Sequence, residues 1–221
     1  LREGMRLWTP RGWLETKKVI NNGIRDVYLV ELENGQEIKI TSDHRLYTKD
    51  GWKALKDLDV GDEIRIVLEE PENFNIESVI DSKFSEFLGL WTGDGSLSSS
   101  NHVSLHLGSD RDLAVYGAKI MREVSGYANM FERNGQYIID CHRKSFANRI
   151  RDIFNLSEKS ESKTKRVPKL IFSQPKEIIA SYIRGLFSAD GSVYDSNGTV
   201  TISLSSTSKR LLKDVQLLLL I

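Results

Sequence analysis

The 221-residue sequence contains one cysteine and four prolines, and it carries no net charge. The single cysteine, Cys141, excludes an intramolecular disulfide and is typical of a reducing compartment. With 31 basic and 31 acidic side chains, the total charge does not decide for or against a nucleic-acid partner, because binding depends on local patches. A signal peptide and a run of about 18 apolar residues are both missing from the sequence. We therefore expect a soluble, intracellular (cytoplasmic) protein that does not enter a membrane.

A short phrase occurs twice in the chain, as FLGLWTGDGSL at 87–97 and as YIRGLFSADGSV at 182–193. The two copies align at a constant offset of 96 residues, which matches Asp94 with Asp190. A repeat that keeps one carboxylate in register predicts two similar halves at a pseudo-twofold axis, with the two acids facing each other. A single Asp-Gly is a common turn dipeptide, so the prediction depends on the second copy.

Each copy also combines small residues with an acid near the end of a predicted helix. The small residues recur four apart: Gly89 with Gly93, and Gly185 with Ala189. This spacing lets two helix backbones approach closely. Asp94 and Asp190 would then lie together at helix C-termini, where the helix dipole disfavours negative charge. A divalent cation would compensate the two acids, and oxygen-only ligands favour Mg²⁺.

The pattern of the chain changes near residue 74, which predicts two domains. Residues 1–73 consist of short strands and polar turns, including a hairpin around Asn34-Gly35, and predict a small all-β domain. The polar stretch 69–75 marks the boundary. Residues 74–221 alternate helices with hairpins and predict an α+β domain with two αββαββα-type repeats, the second one incomplete.

The motif helix of the first repeat is expected to run from Ser82 to Thr92. Gly93 and Gly95 are expected to close it, because glycine is common just beyond helix ends.

Each predicted hairpin after a motif helix has one polar and one aliphatic face. The polar residues are His102, Ser104 and His106 in the first hairpin, and Thr199, Thr201 and Ser203 in the second. The aliphatic residues between them are Val103, Leu105 and Leu107, and Val200, Ile202 and Leu204. A β-ribbon with such a polar face can enter a major groove and contact base edges, although an ordinary solvent face has the same pattern.

Basic residues are concentrated between 143 and 169. Arg143, Lys144, Lys163 and Arg166 could lie along a DNA backbone. A run of this kind is equally typical of a solvated face.

The two phrases resemble the paired LAGLIDADG motifs of homing endonucleases. The resemblance implies an α+β endonuclease, expected to be a monomer, that binds Mg²⁺ and cleaves both strands of a long, nearly palindromic DNA site. It implies metal ligation by Asp94 and Asp190 and by the carbonyl groups of Gly93 and Ala189. KRVP at 165–168 is similar to a lysine-containing segment of this family, which nominates Lys165, and Lys209 occupies a similar late position. Both lysines could instead be solvated or position a phosphate.

ITSDHRLYT at 40–48 resembles the TxxH segment of inteins, and the strands around it are similar to the N-terminal part of the Hint-type splicing fold. The resemblance implies that Thr41 and His44 polarise the N-terminal splice-junction peptide, and that a flanking extein host protein is a partner. Leu1 occupies the second position of that family, so its nucleophile would lie one residue upstream.

We expect the chain as given not to complete splicing, since the late histidines and the terminal asparagine are absent from the sequence. Two alternatives remain open. One is a non-cleaving DNA-binding or maturase-like relative. The other is an inactive split or truncated intein fragment that splices only with a partner piece.

Overall fold

A computed structural model describes residues 1–9, 12–66, 78–156 and 165–220. The chain divides into two compact units, Leu1–Phe74 and Asn75–Leu219. The predicted domain boundary between 73 and 74 lies in a segment outside the described residues, so its position stays a prediction. Among the described residues, no helix is both long enough and apolar enough to cross a membrane.

The described part of the first unit contains three two-stranded antiparallel hairpins. They pair β1 (Arg6–Thr9) with β2 (Gly12–Glu15), β3 (Tyr28–Glu31) with β4 (Glu37–Ile40), and β5 (Arg45–Thr48) with β6 (Gly51–Ala54). The predicted turn at Asn34-Gly35 joins β3 to β4, with Gly35 in the left-handed region that favours glycine. Among the residues of this unit whose burial is described, Ile40 and Thr48 are the buried ones. These hairpins agree with a β domain, while its closure into a Hint-type fold stays a prediction.

The second unit is a mixed α+β structure whose elements follow the predicted order. They are α1 (Ser82–Asp94), β7 (Gly95–Leu97), β8 (Val103–His106), α2 (Arg111–Ser125), β9 (Asn129–Arg133), β10 (Gln136–Cys141), α3 (Lys144–Phe154), α4 (Lys176–Asp190), β11 (Gly191–Ser196), β12 (Thr199–Leu204) and α5 (Lys209–Leu219). The alternation of helices with hairpins around the two phrases is therefore confirmed.

The end of α1 differs from the sequence prediction. The Asp81 carboxylate accepts a hydrogen bond from the Phe84 N–H (2.7 Å) and starts the helix. The helix then continues through Gly93 and ends at Asp94. The expectation that Gly93 closes it is wrong, because the Gly95 N–H bonds to the Trp91 carbonyl oxygen and so extends helical hydrogen bonding to the acid.

The first hairpin belongs to a four-stranded antiparallel sheet with the strand order β7-β8-β10-β9. Val103 and Leu105 are fully buried in the core, whereas Ser104 is half-buried and His106 is exposed. The predicted division into an apolar and a polar face is therefore confirmed for this hairpin.

The second hairpin has the same alternation but a different environment. Strands β11 and β12 form a two-stranded sheet. Val200 and Ile202 remain 64% and 65% exposed, although they occupy the face that is buried in the first hairpin. The aliphatic face thus exists in both halves, and it contributes to the core mainly in the first.

Candidate active site

Two glycines bring the backbones of α1 and α4 into contact. A methyl group added to Gly89 would lie 2.0 Å from the Tyr182 carbonyl oxygen, and one added to Gly185 would lie 2.1 Å from the Glu86 carbonyl oxygen. At the offset of 96 residues, Tyr182 is the counterpart of Glu86, just as Gly185 is the counterpart of Gly89. The contacts are therefore reciprocal, and the helix pair has the pseudo-twofold arrangement that the repeat predicts.

The pseudo-twofold axis passes between Gly93 and Ala189. A methyl group added to Gly93 would lie 2.5 Å from the Cβ of Ala189, which is its own counterpart in the repeat. Two equivalent residues face each other closely only where the axis relates their helices. Asp94 and Asp190 follow directly as the last residues of α1 and α4. The fold thus places both acids at the same end of the axis.

The two carboxyl groups lie in an environment that disfavours their charge. Burial, followed by the charge of Asp190, raises the pKa of Asp94 to about 6. Burial also raises the pKa of Asp190. The C-terminal position in each helix acts in the same direction, because the dipole is negative there. An acid pair held in this way favours a bound cation.

Lys165 supplies positive charge at this position. Its charge lowers the pKa of both Asp94 and Asp190 and so opposes the effect of burial. Its Nζ donates a hydrogen bond to the carbonyl oxygen of Gly93. The last carbonyl groups of a helix have no partner within the helix, and a lysine is a suitable donor for them. The structure therefore brings together five of the residues that the sequence singles out, Gly93, Asp94, Lys165, Ala189 and Asp190.

The oxygen atoms at the end of the helix pair fit Mg²⁺. This ion requires oxygen ligands, keeps several waters and is usually held by one or two carboxylates together with substrate phosphates. Asp94 and Asp190 would be those carboxylates. In the described ranges, no cluster of three or more His, Cys, Asp or Glu side chains is arranged to hold a metal ion. The carbonyl groups of Gly93 and Ala189 as further ligands stay a prediction, and the Gly93 carbonyl already accepts from Lys165.

Lys209 is the first residue of α5. The charged groups that act on the two carboxyl groups are Lys165 for both and Asp190 for Asp94. A catalytic role of Lys209 therefore stays a prediction.

Polar side chains form a row across the four-stranded sheet. Ser96 pairs with Ser104, Ser104 with Asp140, and Asp140 with Asn129, so all four share one face. His106 lies beside this row, with its Nε2 3.0 Å from the Ser96 Oγ. The row is polar on all four strands, as a surface that contacts base edges must be, while Ile138 and Phe131 form the next pair on the same face.

A pair of histidines continues the same face. The ring centroids of His102 and His142 are 3.8 Å apart, and the His142 Nε2 lies 3.3 Å from the Asp140 Oδ1. Sequence reasoning misses Asp140 and His142. Their alternation with the buried Ile139 and Cys141 is the signal that would have placed them on the polar face.

The polar face of the second hairpin repeats part of this pattern. Ser192 and Ser203 are paired across β11 and β12, with their Oγ atoms 2.8 Å apart, and they correspond to Ser96 and Ser104. Thr199 is exposed and Thr201 is half-buried on the same face. Base contacts by any of these residues stay a prediction.

The predicted backbone-contacting residues have different environments. Arg143 precedes α3 and donates from Nη2 to the Gly126 carbonyl oxygen (3.3 Å), and Lys144 is the exposed first residue of α3. Arg166 donates twice to the carboxylate of Asp214, from Nη2 (2.7 Å) and from Nε (2.9 Å). Lys163 lies outside the described residues.

The first unit has its own candidate site between β4 and β5. Thr41 and His44 line one cavity of about 500 Å³, together with Arg25 and Asp43. The His44 N–H donates to the Thr41 carbonyl oxygen (3.1 Å), and the Arg25 Nη1 lies 3.4 Å from the Asp43 Oδ2. The Thr41 hydroxyl first, and Arg25 to a smaller extent, lower the pKa of Asp43. The two residues nominated by the sequence therefore line the same cavity.

A family model described as a LAGLIDADG-like domain matches residues 177–221, which include α4 and the second motif. The match covers the last 45 of the 221 residues, and the first motif lies outside it.

Several curated proteins are similar to much of the chain. A replicative DNA helicase DnaB from Rhodothermus marinus is 29% identical over 215 residues, which is 90% of this chain and 22% of that protein. A transcription initiation factor IIB from Methanocaldococcus jannaschii is 24% identical, over 94% of this chain and 29% of that protein. A DNA polymerase from Thermococcus hydrothermalis is 30% identical, over 62% of this chain and 8% of that protein. The chain thus corresponds to less than a third of the length of each of these relatives.

Among solved structures, full-length DUF199/WhiA from Thermatoga maritima is 18% identical. It covers 58% of this chain and 38% of its own, with a TM-score of 0.33. A likeness of this size carries no argument about the fold.

Proposed function

We propose that the second unit is a homing endonuclease of the LAGLIDADG type, which cuts both strands of a long, nearly palindromic DNA site. The observation that carries this proposal is the position of Asp94 and Asp190 at one end of a reciprocally packed glycine helix pair. Burial, the helix dipoles and the charge of the other acid all oppose ionisation here. Acids with a purely structural role rarely lie in such an environment, whereas acids at sites of metal-assisted chemistry often do.

Each residue at this end of the axis has a distinct task in the proposed reaction. Asp94 and Asp190 present their carboxylate oxygens on opposite sides of the pseudo-twofold axis, and each acid would act on one DNA strand. Lys165 places a positive charge beside both carboxylates, where a scissile phosphate would develop negative charge. Bound Mg²⁺ would activate water and stabilise the charge that develops on the phosphate. The polar faces of the two hairpins would enter the major groove of the DNA and position it by contacts to the base edges.

We further propose that the chain belongs to a protein-splicing element in which the endonuclease is inserted. The first unit would contribute the N-terminal part of a Hint-type domain, with Thr41 and His44 at the junction with the host protein. The comparisons support this, since this chain is similar to a part of a helicase, of a transcription initiation factor and of a polymerase, and that part is a minor share of each. A module that is inserted into unrelated hosts and removed from them would have this distribution.

The endonuclease proposal is tested on DNA of the uninterrupted host gene, in which the sequences that flank the whole inserted element are joined. The protein is used at full length together with any residues that the gene supplies on either side. We expect Mg²⁺-dependent double-strand cleavage by the wild type, measured on a linearised plasmid.

The variants Asp94→Asn and Asp190→Asn are each expected to abolish double-strand cleavage while leaving the gel shift of the DNA largely intact. Asp112→Asn, an exposed acid in α2, serves as the matched control and should cut normally. A wild type that shifts this DNA without cutting it would instead support a non-cleaving DNA-binding protein. Cleavage retained in both motif variants would mean that the metal ligands are wrong.

A further inference from the structure

Helix α5 contacts the segment that carries Lys165. The Ser208 hydroxyl donates to the main-chain carbonyl oxygen of Lys165 (2.7 Å) and accepts from the Leu211 N–H (3.2 Å). Ser208 is only 1% exposed. A single buried hydroxyl thus caps a main-chain N–H in the first turn of α5 and also fixes the main chain of Lys165.

Six residues after Ser208, Asp214 holds the residues that follow Lys165. Its carboxylate accepts two hydrogen bonds from the Arg166 guanidinium, and its Oδ2 also accepts from the Val167 N–H (3.2 Å). Asp214 is only 7% exposed, and Val167 next to it is buried in the core. A bidentate guanidinium–carboxylate pair fixes both distance and orientation, so this contact is more directional than a lysine pair would be.

The two anchors lie on either side of the Lys165 side chain. One holds the carbonyl oxygen of Lys165 itself, and the other holds the next two residues. The side chain between them reaches the Gly93 carbonyl oxygen at the end of α1. A lysine side chain has four rotatable bonds, so its ammonium group stays at one place only if the main chain is fixed and the end group is bonded.

We propose that Ser208 and Asp214 are positioning residues, which hold the 165–167 segment so that Lys165 is delivered to the two motif aspartates. Arg166 acts in this arrangement through its two hydrogen bonds to Asp214, which help to hold the segment that carries Lys165. The kinetic consequence of this inference rests on the proposed endonuclease function. The placement of Lys165 does not, so the two can be tested apart.

The placement is measured by acetylation of the full-length protein, followed by mass spectrometry. The rate at Lys165 is compared with the rate at Lys119, an exposed lysine of α2, in the same molecule. In Ser208→Ala and Asp214→Asn we expect the Lys165 rate to rise severalfold towards the Lys119 rate. The matched control is Ser85→Ala, which also removes a buried hydroxyl that donates to a main-chain carbonyl (2.7 Å, to Ile178) and should leave Lys165 unchanged. An unchanged Lys165 rate in both α5 variants would overturn the inference, whether or not the protein cleaves DNA.

The kinetic consequence is measured as a single-turnover cleavage rate in a double-mutant cycle. Ser208→Ala and Asp214→Asn are each expected to slow cleavage by about tenfold to a hundredfold, since a misplacement of about 1 Å can cost about a hundredfold in rate. Added to Lys165→Met, neither variant should slow cleavage further, because the group that it positions is already gone. Additive losses in the cycle would show a general structural effect and would overturn this role. DNA affinity and thermal melting of each variant identify any loss that comes from misfolding.

Discussion

At the scale of single residues, Asp94 shows how far the environment of the site differs from that of an ordinary surface acid. Gly93, directly before it in α1, allows close contact with α4, and the Asp94 carboxyl group is largely removed from water beside Asp190. Burial is the largest cause of its raised pKa. The folded protein therefore favours the protonated form of this acid more than the unfolded chain does.

This has a defined consequence for stability in the absence of metal. Because the pKa is about 6 in the folded state and the ordinary value is 3.8, the folded state loses stability as the pH rises from about 4 to above 6. We expect Asp94→Asn to melt at a higher temperature than the wild type at pH 7.5 in EDTA. The difference should become small at pH 4, where the carboxyl group is already protonated in the folded state.

Thermal melting followed by circular dichroism at four pH values would check this prediction. Asp112→Asn is the matched control and should show no such pH-dependent gain. Added Mg²⁺ should raise the melting temperature of the wild type at pH 7.5 more than that of Asp94→Asn, since a ligand stabilises the state that binds it. A gain of equal size at pH 4 and pH 7.5 would mean that the charge of Asp94 is not the cause.

The residues of the motif could be identified from the sequence because each one is repeated. Asp94, Asp190 and the small residues around them keep their spacing in both copies, and the structure places them together. Ser208 and Asp214 have no repeated counterpart to identify them. Asp214 had a weaker signal, since it lies on the helical stripe of the buried Leu211, Val215 and Leu218, where an acid requires a partner. The partner, Arg166, is 48 residues away, so only the fold could name it.

At the scale of elements, the packing of α1 against α4 organises the core. Every residue of α1 from Phe84 to Gly93 is buried, including Glu86. Glu86 accepts two hydrogen bonds from Arg184 of α4 (3.0 Å each) and one from the Tyr116 hydroxyl of α2. These bonds lower the pKa of Glu86 although burial opposes them. The second half does not repeat the Glu86–Arg184 ion pair, because Tyr182 occupies the position that corresponds to Glu86.

The glycines between α1 and α4 predict a larger loss of stability on substitution by alanine than a glycine of another helix does. Gly89→Ala and Gly185→Ala each place a methyl group against main-chain atoms of the facing helix, which cannot move aside. We expect each variant to lower the free energy of unfolding by at least about 2 kcal/mol, as overpacking does.

Gly117→Ala in α2 is the matched control for these variants. Its added methyl group would meet the terminal Cδ1 of Leu107, at the far end of a flexible side chain. Alanine also favours a helix over glycine by about 1 kcal/mol, so this variant should stay close to the wild type. Urea unfolding of the three variants measures the contrast, and equal losses at all three positions would contradict the helix-pair geometry.

The hairpins show which part of an element can be predicted from alternation alone. The alternation in the segments 103–107 and 199–204 predicts the two faces of each strand, and the structure has them. It does not predict whether the aliphatic face is covered, because that depends on elements elsewhere in the chain. Val103 is fully buried, while Ile202, its counterpart in the second repeat, is 65% exposed.

At the scale of the whole molecule, the two units differ in how much core they contain. The large buried cluster consists of residues of the second unit, from Ile80 to Leu218. The three hairpins of the first unit contribute two buried residues among those described, Ile40 and Thr48. Since burial of apolar surface is the dominant favourable contribution to folding, the second unit should contain nearly all of the stability.

This predicts different behaviour of the two units when they are produced as fragments. The fragment 75–221 should unfold cooperatively, within about 5 °C of the main transition of the full chain, because it keeps the whole core. It should also retain the gel shift of the target DNA, because both hairpin faces and the predicted backbone-contacting residues Arg143, Lys144, Lys163 and Arg166 belong to it. The fragment 1–74 should show no cooperative transition, since three hairpins with little shared core are marginal in water.

Calorimetry of both fragments beside the full chain measures these outcomes. A cooperative transition in the fragment 1–74 would mean that the β unit has a core of its own, and the loss of DNA binding by 75–221 would assign part of the DNA interface to the first unit.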